Sequence, residues 1–234
     1  MPIPWVDDVY AGFPPIDEAM EEPNGLLAAG DDLSEARLLD AYLHGIFPWY
    51  EVGQPVLWWS PDPRMVLKPD RMRISRSLTK LLLQHKFTVT MDTAFAETIT
   101  GCANAERHSN GTWITTEMQS AYIQLHKSGY AHSIEVWQAD RLVGGLYGVA
   151  LGKIFFGESM FSEVSNTSKL ALAYLTKQLQ LWDFQLIDCQ VSSPHLRTLG
   201  AVEISRVEFQ KYLQKYAMIA GSAGKWQLQS NLLW

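Results

Sequence analysis

Three strand patterns in close succession limit most strongly what this chain can fold into. They are predicted at residues 132–137, 142–150 and 153–161. The turns between them, Ala139-Asp140 and Leu151-Gly152, are each two residues long, and turns this short join antiparallel neighbours. This part of the chain is therefore predicted to form an antiparallel sheet.

The elements on either side of these strands complete an order known from one class of acyltransferase. Thr115 is placed to cap a helix that runs to about Lys127, and Asn166 or Thr167 to cap a second helix. A further strand is predicted at residues 186–191. The order helix, three antiparallel strands, helix and strand is that of the GCN5-related N-acetyltransferase (GNAT) type. We therefore expect an α+β fold with a mostly antiparallel sheet.

Residues 1–63 differ from the rest of the chain in composition. They are rich in Pro, Gly and Trp, which leaves little room for long regular elements. Pro61 and Pro63 interrupt regular structure at the end of this segment. We therefore predict a small N-terminal domain over residues 1–63 and a GNAT-like catalytic domain over residues 64–234.

The net charge of -6 is spread unevenly along the chain. Residues 1–62 carry a net charge of -11, whereas residues 63–86 carry +6. A basic segment this short could hold a few phosphate groups of a nucleic acid. It could also be a solvated face, or one that docks on the acidic N-terminal part, and a basic run alone favours this explanation.

Several features of the sequence indicate the cytoplasm. No apolar run approaches the ~20 residues of a membrane span, and the first residues lack the basic and apolar regions of a secretory signal. The two cysteines, Cys102 and Cys189, form no disulfide framework. We expect two reduced thiols in a cytoplasmic protein that does not bind a membrane.

Two carboxylates stand in positions that call for a partner. Glu158 lies inside an apolar run and would be costly to bury as a lone charge. Its apolar neighbours are Phe155, Phe156, Met160 and Phe161. If no Lys or Arg of this chain pairs with Glu158, a cationic ligand could. Asp188 is followed two residues later by Gln190, and alternate residues of a strand share a face, so we expect both side chains on one side of the sheet.

Several common catalytic motifs are missing from the sequence. Residues 162–169, where GNAT enzymes place a Gly-rich turn for the pyrophosphate of coenzyme A, contain Glu163 and no glycine. The run around Ser159 lacks the second glycine of a nucleophile elbow. Neither metal-ligand spacing nor a nucleotide-binding Gly-rich loop occurs. We therefore expect no coenzyme A, metal, nucleotide or flavin cofactor.

Eight short motifs follow one another along nearly the whole chain. They are Glu22–Ala28, Gly45–Trp49, Trp58–Arg64, Gly111–Thr115, His132–Trp137, Gly144–Val149, Gly157–Phe161 and Ile187–Gln190. In this order they resemble the leucyl/phenylalanyl-tRNA–protein transferase family. Leu146 stands where relatives often have Met, a nearly volume-conserving exchange. The tail from Ala217 matches no motif of the family.

The resemblance implies an enzyme that takes Leu, Phe or sometimes Met from its charged tRNA. It joins this amino acid to the α-amine of a protein that begins with Arg or Lys, and the product carries a destabilising N-terminus that leads to degradation. The implied partners are the acceptor ends of Leu-tRNA and Phe-tRNA and proteins or peptides with a basic first residue. Aminoacyl-tRNA is a substrate, so no cofactor is implied, and we expect a monomer.

The resemblance also assigns roles to individual residues. Glu158 is expected to meet the basic side chain of the acceptor, and Asp188 and Gln190 are expected to lie at the reacting amine. The expected aminoacyl-binding residues are Trp49, Trp113, Leu146, Phe155 and Met160. The residues expected to contact tRNA phosphates are Arg71, Arg73, Arg76 and Lys80.

Alternatives stay open at this point. A coenzyme A-dependent N-acetyltransferase of the same fold would need the missing Gly-rich turn. A non-catalytic protein could use Glu158 to bind basic N-termini without turnover. The proton acceptor is open as well, because an aspartate is a weak base compared with an α-amine, and the ribose oxygen of the tRNA could take the proton instead.

Overall fold

The computed structural model describes residues 3–7, 12–105, 112–221, 224–229 and 232. Within them the helices are α1 (Glu35–Leu43), α2 (Arg76–Leu83), α3 (Phe95–Asn104), α4 (Thr116–Lys127), α5 (Thr167–Leu181), α6 (Pro194–Thr198) and α7 (Arg206–Tyr216). The strands are β1 (Trp5–Val6), β2 (Leu26–Gly30), β3 (Phe47–Pro48), β4 (Val56–Trp59), β5 (Arg64–Leu67), β6 (Thr88–Met91), β7 (Ala131–Gln138), β8 (Arg141–Leu151), β9 (Ile154–Ser162), β10 (Leu186–Gln190) and β11 (Val202–Ile204). Gly111, which begins one of the sequence motifs, lies outside the described residues.

A seven-stranded sheet forms the centre of the described structure, in the order β11-β5-β10-β9-β8-β7-β6. All neighbouring strands are antiparallel except β9 and β10, which are parallel. Strands β7, β8 and β9 are the three predicted strands, and α4 and α5 precede and follow them as predicted. The predicted fold class, an α+β fold with a mostly antiparallel sheet, is confirmed.

The two helices that flank the predicted strands begin where their sequences indicate. At α4, Thr115 Oγ1 accepts a hydrogen bond from the N–H of Met118, which satisfies one of the amides left open at a helix start. At α5, Asn166 has a φ of +69° and makes no side-chain cap. Thr167 stabilises this turn instead, because its hydroxyl donates to the Val143 carbonyl oxygen at 2.9 Å.

Helix α3 and the N-terminal sheet are not predicted from the sequence. Helix α3 begins after Ala94, whose side chain cannot cap it, so the usual start signal is missing. The N-terminal sheet has the order β1-β2-β4-β3. Its strands are two to five residues long, which is too short to show a periodic pattern.

Helix α1 brings the N-terminal part of the chain onto the large sheet. The Tyr42 ring of α1 lies 5.0 Å, between centroids, from the Phe156 ring of β9. Tyr42, Phe156 and Tyr122 of α4 are fully buried in one hydrophobic core that also contains Trp58 of β4. Side chains from both parts of the chain therefore reach the same end of β9.

Strands β9 and β10 diverge, and a gap opens between them. Their pairing ends where Phe156 faces Asp188, whereas β9 continues beside β8 to Ser162. Strand β10 pairs on its other side with β5 and has a bulge between Asp188 and Gln190. A gap therefore lies between the second half of β9 and the end of β10.

Trp226 anchors the tail, which matches none of the sequence motifs. Its ring stacks on His132 with 3.6 Å between the ring centroids. Its backbone N–H donates to Asp92 Oδ2 at 2.7 Å. The ring of Phe155 lies 6.1 Å away, between centroids, so the tail packs behind a residue of the candidate site.

Candidate active site

Glu158 lies on β9 and is buried among uncharged hydrogen-bond donors. It is 8% exposed. Tyr42 Oη donates to Glu158 Oε1 at 2.8 Å, and Tyr122 Oη lies within hydrogen-bonding distance of Oε2, at 3.0 Å. Gln190 Nε2 donates to Oε1 at 2.7 Å. The two tyrosine hydroxyls are also hydrogen-bonded to each other, and we refer to Glu158, Tyr42 and Tyr122 as the Glu158–tyrosine cluster.

The cluster contains no positive charge. In the part of the chain that the structure describes, no Lys or Arg forms an ion pair with Glu158. Burial raises the pKa of Glu158 to about 7, and the hydrogen bonds from the tyrosines offset only part of this effect. The nearby charge of Asp188 raises it further. The sequence predicts a cationic ligand at Glu158 if no Lys or Arg of the chain pairs with it, and the described residues meet this condition.

Asp188 is also buried, but a residue of this chain neutralises it. Arg64 Nε and Nη2 donate to its two carboxylate oxygens at 2.9 and 2.7 Å. The guanidinium lies over the rings of Phe47 and Phe209, at 4.8 and 4.7 Å from their centroids. The structure therefore places the Asp188 carboxylate against Arg64, where it is not open to a substrate amine.

Asp188 in turn holds Gln190 in an unusual backbone conformation. Gln190 has a φ of +62°, in the left-handed region that residues other than glycine seldom adopt. Its backbone N–H donates to Asp188 Oδ1 at 2.9 Å, which stabilises this turn at the end of β10. The side-chain amide of Gln190 then reaches Glu158. One line of contacts thus runs from Arg64 through Asp188 and Gln190 to Glu158.

A cavity of about 1360 Å³ opens where β9 and β10 diverge. Glu158 and Gln190 lie on its wall, and so do Leu146, Phe155 and Met160, three of the expected aminoacyl-binding residues. Further apolar side chains of its wall are Leu172, Leu175 and Ile187. The cavity therefore joins a buried carboxyl group to an apolar region.

Gly148 makes room for the Phe155 ring beside this cavity. A Cβ atom at residue 148 would lie 2.6 Å from the Phe155 ring and 2.2 Å from the Phe156 carbonyl oxygen. The register of β8 and β9 shifts at the same point, between Tyr147 and Gly148. A glycine is therefore needed here for the close approach of the two strands.

Trp49 and Trp113, the other two expected aminoacyl-binding residues, are not on the wall of this cavity. Trp49 is 41% exposed and lines a second cavity of about 170 Å³ together with Trp59 and Val191, which directly follows Gln190. Trp113 is half-buried and packs against the core. Their assignment to the aminoacyl slot stays a prediction.

The residues expected to bind phosphate are exposed and form the basic surface of the described chain. Its members are Arg71, Arg73, Arg76 and Lys80. The backbone N–H of Arg73 donates to the Leu199 carbonyl oxygen at 2.8 Å. Leu199 directly follows α6, whose Leu196 lines the large cavity. The backbone of Arg73 is therefore bound to the residue that follows α6, a helix that contributes to the cavity wall.

The start of α5 is occupied by side chains of the chain itself. Ser162 Oγ accepts a hydrogen bond from the N–H of Ser168 at 2.9 Å. Glu163 lies in the same turn and pairs with Arg141 at 2.6 Å. A pyrophosphate would need these N–H groups and would meet the negative charge of Glu163. This geometry disfavours coenzyme A as an acyl donor.

Three residues of the site, Arg64, Tyr42 and Tyr122, are not among those predicted from the sequence. Arg64 ends the Trp58–Arg64 motif, which was the available signal for it. The two tyrosines lie on helices, where their rings resemble ordinary core residues. Their hydroxyls reach Glu158 from positions 116 and 36 residues away in the chain, which a local pattern does not reveal.

Among the residues that the structure describes, no helix is long and apolar enough to cross a membrane. The same residues contain no group of three or more His, Cys, Asp or Glu side chains that could hold a metal ion. Cys102 is buried and Cys189 is half-buried, and the two are not joined by a disulfide.

Two protein-family models match the chain. One is described as leucyl/phenylalanyl-tRNA protein transferase and matches residues 66–214. The other is described as the N-terminal domain of leucyl/phenylalanyl-tRNA protein transferase and matches residues 31–62. The domain division at residue 63 stays a prediction.

Curated relatives are similar over most of the chain. It is 58% identical over 211 residues to the leucyl/phenylalanyl-tRNA–protein transferase of Cellvibrio japonicus (strain Ueda107), with 90% of each chain covered. It is 57% identical over 212 residues to that of Pseudomonas fluorescens (strain SBW25), with 91% of this chain and 94% of the relative covered. Among solved structures, a GCN5-related N-acetyltransferase from Kribbella flavida matches with a TM-score of 0.35 and 12% identity, over 71% of this chain and 59% of that chain.

Proposed function

Because the chain belongs to the leucyl/phenylalanyl-tRNA–protein transferase family, we propose that it transfers Leu or Phe, and less often Met, from aminoacyl-tRNA to proteins that begin with Arg or Lys. It is an aminoacyltransferase, and the bond that it forms is a peptide bond to the α-amine of the acceptor. The observation that carries this proposal is Glu158, a buried carboxyl group on the wall of a large cavity, with no cationic partner among the described residues. The product carries a destabilising first residue and is thereby directed to degradation.

The basic side chain of the acceptor binds at Glu158. A guanidinium or ammonium group supplies the positive charge that the Glu158–tyrosine cluster lacks. It also forms charge-assisted hydrogen bonds, which contribute about 1.5–3 kcal/mol when one partner is ionised. Tyr42 and Tyr122 hold the carboxylate in place for this contact.

The side chain of the donated amino acid binds in the apolar part of the cavity. Leu146, Phe155 and Met160 contact it there, and the flexible Met160 adapts to Leu, Phe or Met. Ile and Val branch at Cβ and are rejected by sterics, although such a slot discriminates by only about 1–3 kcal/mol per methyl group. Trp49 and Trp113 keep their expected role at the aminoacyl end of the donor, and Trp49 is exposed near the end of β10.

The reaction exchanges an ester for an amide and is therefore downhill without ATP. The α-amine nitrogen attacks the ester carbonyl carbon, the new C–N bond forms and the C–O bond to the ribose breaks. The leaving ribose oxygen takes up the proton that the amine loses. Gln190 donates to Glu158 through its amide nitrogen, and its carbonyl oxygen accepts a hydrogen bond from the amine. Correct positioning can supply several kcal/mol, with a ceiling of roughly 7–11 kcal/mol.

Asp188 acts as a positioning residue for Gln190. Its oxygens are bound by Arg64 and by the Gln190 N–H. These contacts fix the left-handed turn that directs the Gln190 side chain towards Glu158. Asp188 therefore contributes to catalysis through Gln190 and not as the base.

The exposed basic surface binds phosphates near the acceptor end of the tRNA. Its four members, Arg71, Arg73, Arg76 and Lys80, allow only a few phosphate contacts. Binding is therefore modest and salt-sensitive, with little reading of the tRNA sequence.

The proposed reaction needs no cofactor or metal ion, because aminoacyl-tRNA itself supplies the activated acyl group. It takes place in the cytoplasm, where charged tRNA is found. One copy of the chain is sufficient, because all proposed site residues belong to one chain.

A peptide that begins with Arg tests this function when it is incubated with Leu-tRNA and the protein. We expect its mass to increase by one leucyl residue, whereas the same peptide beginning with Glu should not change. A protein that only binds basic N-termini would leave both masses unchanged, and that result would overturn the transferase proposal. Calorimetry with acetyl-CoA tests the acetyltransferase alternative, for which we expect no heat of binding.

A further inference from the structure

The Glu158–tyrosine cluster contains more hydrogen-bonding contacts than its two hydroxyl groups can serve. Tyr42 Oη contacts Glu158 Oε1, Tyr122 Oη contacts Oε2, and the two hydroxyls contact each other. Each of these three contacts needs one hydrogen atom, and each phenol carries one. The third hydrogen must therefore come from the carboxyl group of Glu158.

A protonated Glu158 completes a closed ring of hydrogen bonds. Gln190 Nε2 and Tyr42 Oη both donate to Oε1, so the carboxyl hydrogen belongs on Oε2. Oε2–H then donates to Tyr122, Tyr122 donates to Tyr42, and Tyr42 donates to Oε1. Burial raises the pKa of both tyrosines well above the usual range, so neither phenol loses its proton near neutral pH.

The charged surroundings of Glu158 favour the same protonation state. Among the described residues, the titratable groups that face Glu158 are Tyr42 from α1, Tyr122 from α4 and Asp188 from β10, and Tyr147 from β8 faces Tyr122. Arg64 from β5 is bound to Asp188. Among the described residues Glu158 thus faces neutral donors and one negative charge, and burial raises its pKa to about 7.

We propose that Glu158 carries a proton in the free protein and releases it to solvent when the cationic side chain of an acceptor binds. The inference rests on the proposed function, because the cation is the basic first residue of the acceptor. In this step the carboxyl O–H bond breaks and the proton passes to water. The carboxylate then pairs with the guanidinium or ammonium group, so that the charge within the site is balanced.

The ring makes Tyr42 and Tyr122 specificity-determining residues. A neutral first residue cannot stabilise the carboxylate, so the site keeps its proton and its closed ring when such a residue approaches. A cation can form an ion pair with the Glu158 carboxylate only when this proton is released. Binding of a cationic acceptor is therefore linked to pH, and we expect its Kd to rise about tenfold for each pH unit below about 7.

Calorimetry in buffers of different ionisation enthalpy counts the released protons. A suitable ligand is a peptide whose first residue is 5-guanidinopentanoic acid, which is arginine without its α-amine, so that the ligand itself does not titrate. With a pKa of about 7, we expect about 0.9 proton to be released at pH 6 and about 0.1 at pH 8.

Infrared spectroscopy of the free full-length protein tests the resting state without any acceptor. The difference spectrum between wild type and Glu158→Gln should show the C=O stretch of a protonated carboxylic acid at pH 6 and lose it by pH 8.5. Saturating guanidino peptide should remove this band at pH 6. Tyr42→Phe removes a donor to the carboxylate and should move the midpoint to higher pH, whereas Tyr130→Phe, on an exposed tyrosine, should not.

The outcomes separate this proposal from the function on which it rests. If the band is absent at pH 6, or if the peptide binds at pH 6 without proton release, the proton on Glu158 is ruled out even where leucyl transfer continues. If the band is present but no basic peptide binds, the acceptor site is assigned wrongly, and the release step is overturned with it.

Discussion

Two buried carboxylates lie at the same end of the large sheet, and the chain holds them in different ways. Asp188 is fully buried and forms two hydrogen bonds with Arg64. Glu158 is 8% exposed, and its hydrogen-bond partners are Tyr42, Tyr122 and Gln190. Either group would be costly as a lone buried charge. Asp188 is neutralised by a permanent cation, whereas the described partners of Glu158 are uncharged groups.

The two carboxyl groups therefore have different roles, since Asp188 supports the site and Glu158 binds the ligand. A carboxylate with a permanent cation keeps one charge state, and Asp188 uses it to hold the backbone of Gln190. A carboxyl group among neutral donors keeps the capacity to receive a cation, and Glu158 lies on the cavity wall, where a cation can reach it. Gln190 contacts both groups and connects their roles.

The largest expected effect comes from removing the permanent cation. Arg64→Met leaves Asp188 buried without its partner, and we expect the free energy of unfolding to fall by about 3–5 kcal/mol. Urea denaturation measures this change. Arg71→Met is the matched control, because the pair Arg71–Asp70 is 74% and 63% exposed and should contribute less than about 1 kcal/mol. Equal effects of the two substitutions would mean that Asp188 does not depend on Arg64.

The next effect concerns Glu158 and has a definite pH dependence. The folded protein holds the Glu158 proton up to about pH 7, whereas an ordinary glutamate in the unfolded chain releases it near 4.5. Wild type therefore loses stability between these values as the pH rises, by about 3 kcal/mol in total. Glu158→Gln does not titrate, so its stability relative to wild type should increase by that amount between pH 4.5 and pH 8. Urea denaturation at pH 4.5 and pH 8 measures this difference in the free energy of unfolding. A difference that stayed constant between the two pH values would contradict the expected cost of ionising the buried Glu158.

A smaller effect is expected where the two carboxylates are connected. Gln190→Ala removes the amide between them, and we expect kcat/KM for transfer to an Arg-starting peptide to fall about 10–100-fold, or about 1.4–2.8 kcal/mol. The mass assay with Leu-tRNA provides the rates. Gln227→Ala, on an exposed glutamine of the tail, should leave the rate unchanged. A Gln190 variant as fast as wild type would remove this residue from the proposed mechanism.

The smallest effect is expected from charges that are exposed to solvent. Arg76→Ala and Lys80→Ala should each weaken aminoacyl-tRNA binding less than about tenfold and lower the slope of log affinity against log salt by about 0.7–0.9. Filter binding over a range of salt concentrations measures both quantities. Lys127→Ala, at the end of α4, is the control with an exposed lysine. An unchanged salt slope in the first two variants would favour a merely solvated basic face.

The large sheet could be predicted from the sequence because its signals are local. The two-residue turns and the Thr115 cap act between neighbours in the chain, and they mark β7, β8, β9 and α4 closely. The Glu158–tyrosine cluster could not be predicted, because its members meet only after α1 and α4 pack against β9. The left-handed turn at Gln190 depends in the same way on Asp188 and on the bulge beside β5.

The Glu158–tyrosine cluster takes its residues from both predicted domains, and this has a consequence for hybrid enzymes. Tyr42 precedes residue 63 and Glu158 follows it, so a chimera that exchanges the first segment between relatives also replaces one of the four oxygens of the ring. Such a swap should be tolerated only when the incoming segment carries a phenol at this place. Matching the fold of the two pieces would not be sufficient, because the incoming segment must also restore the missing hydroxyl.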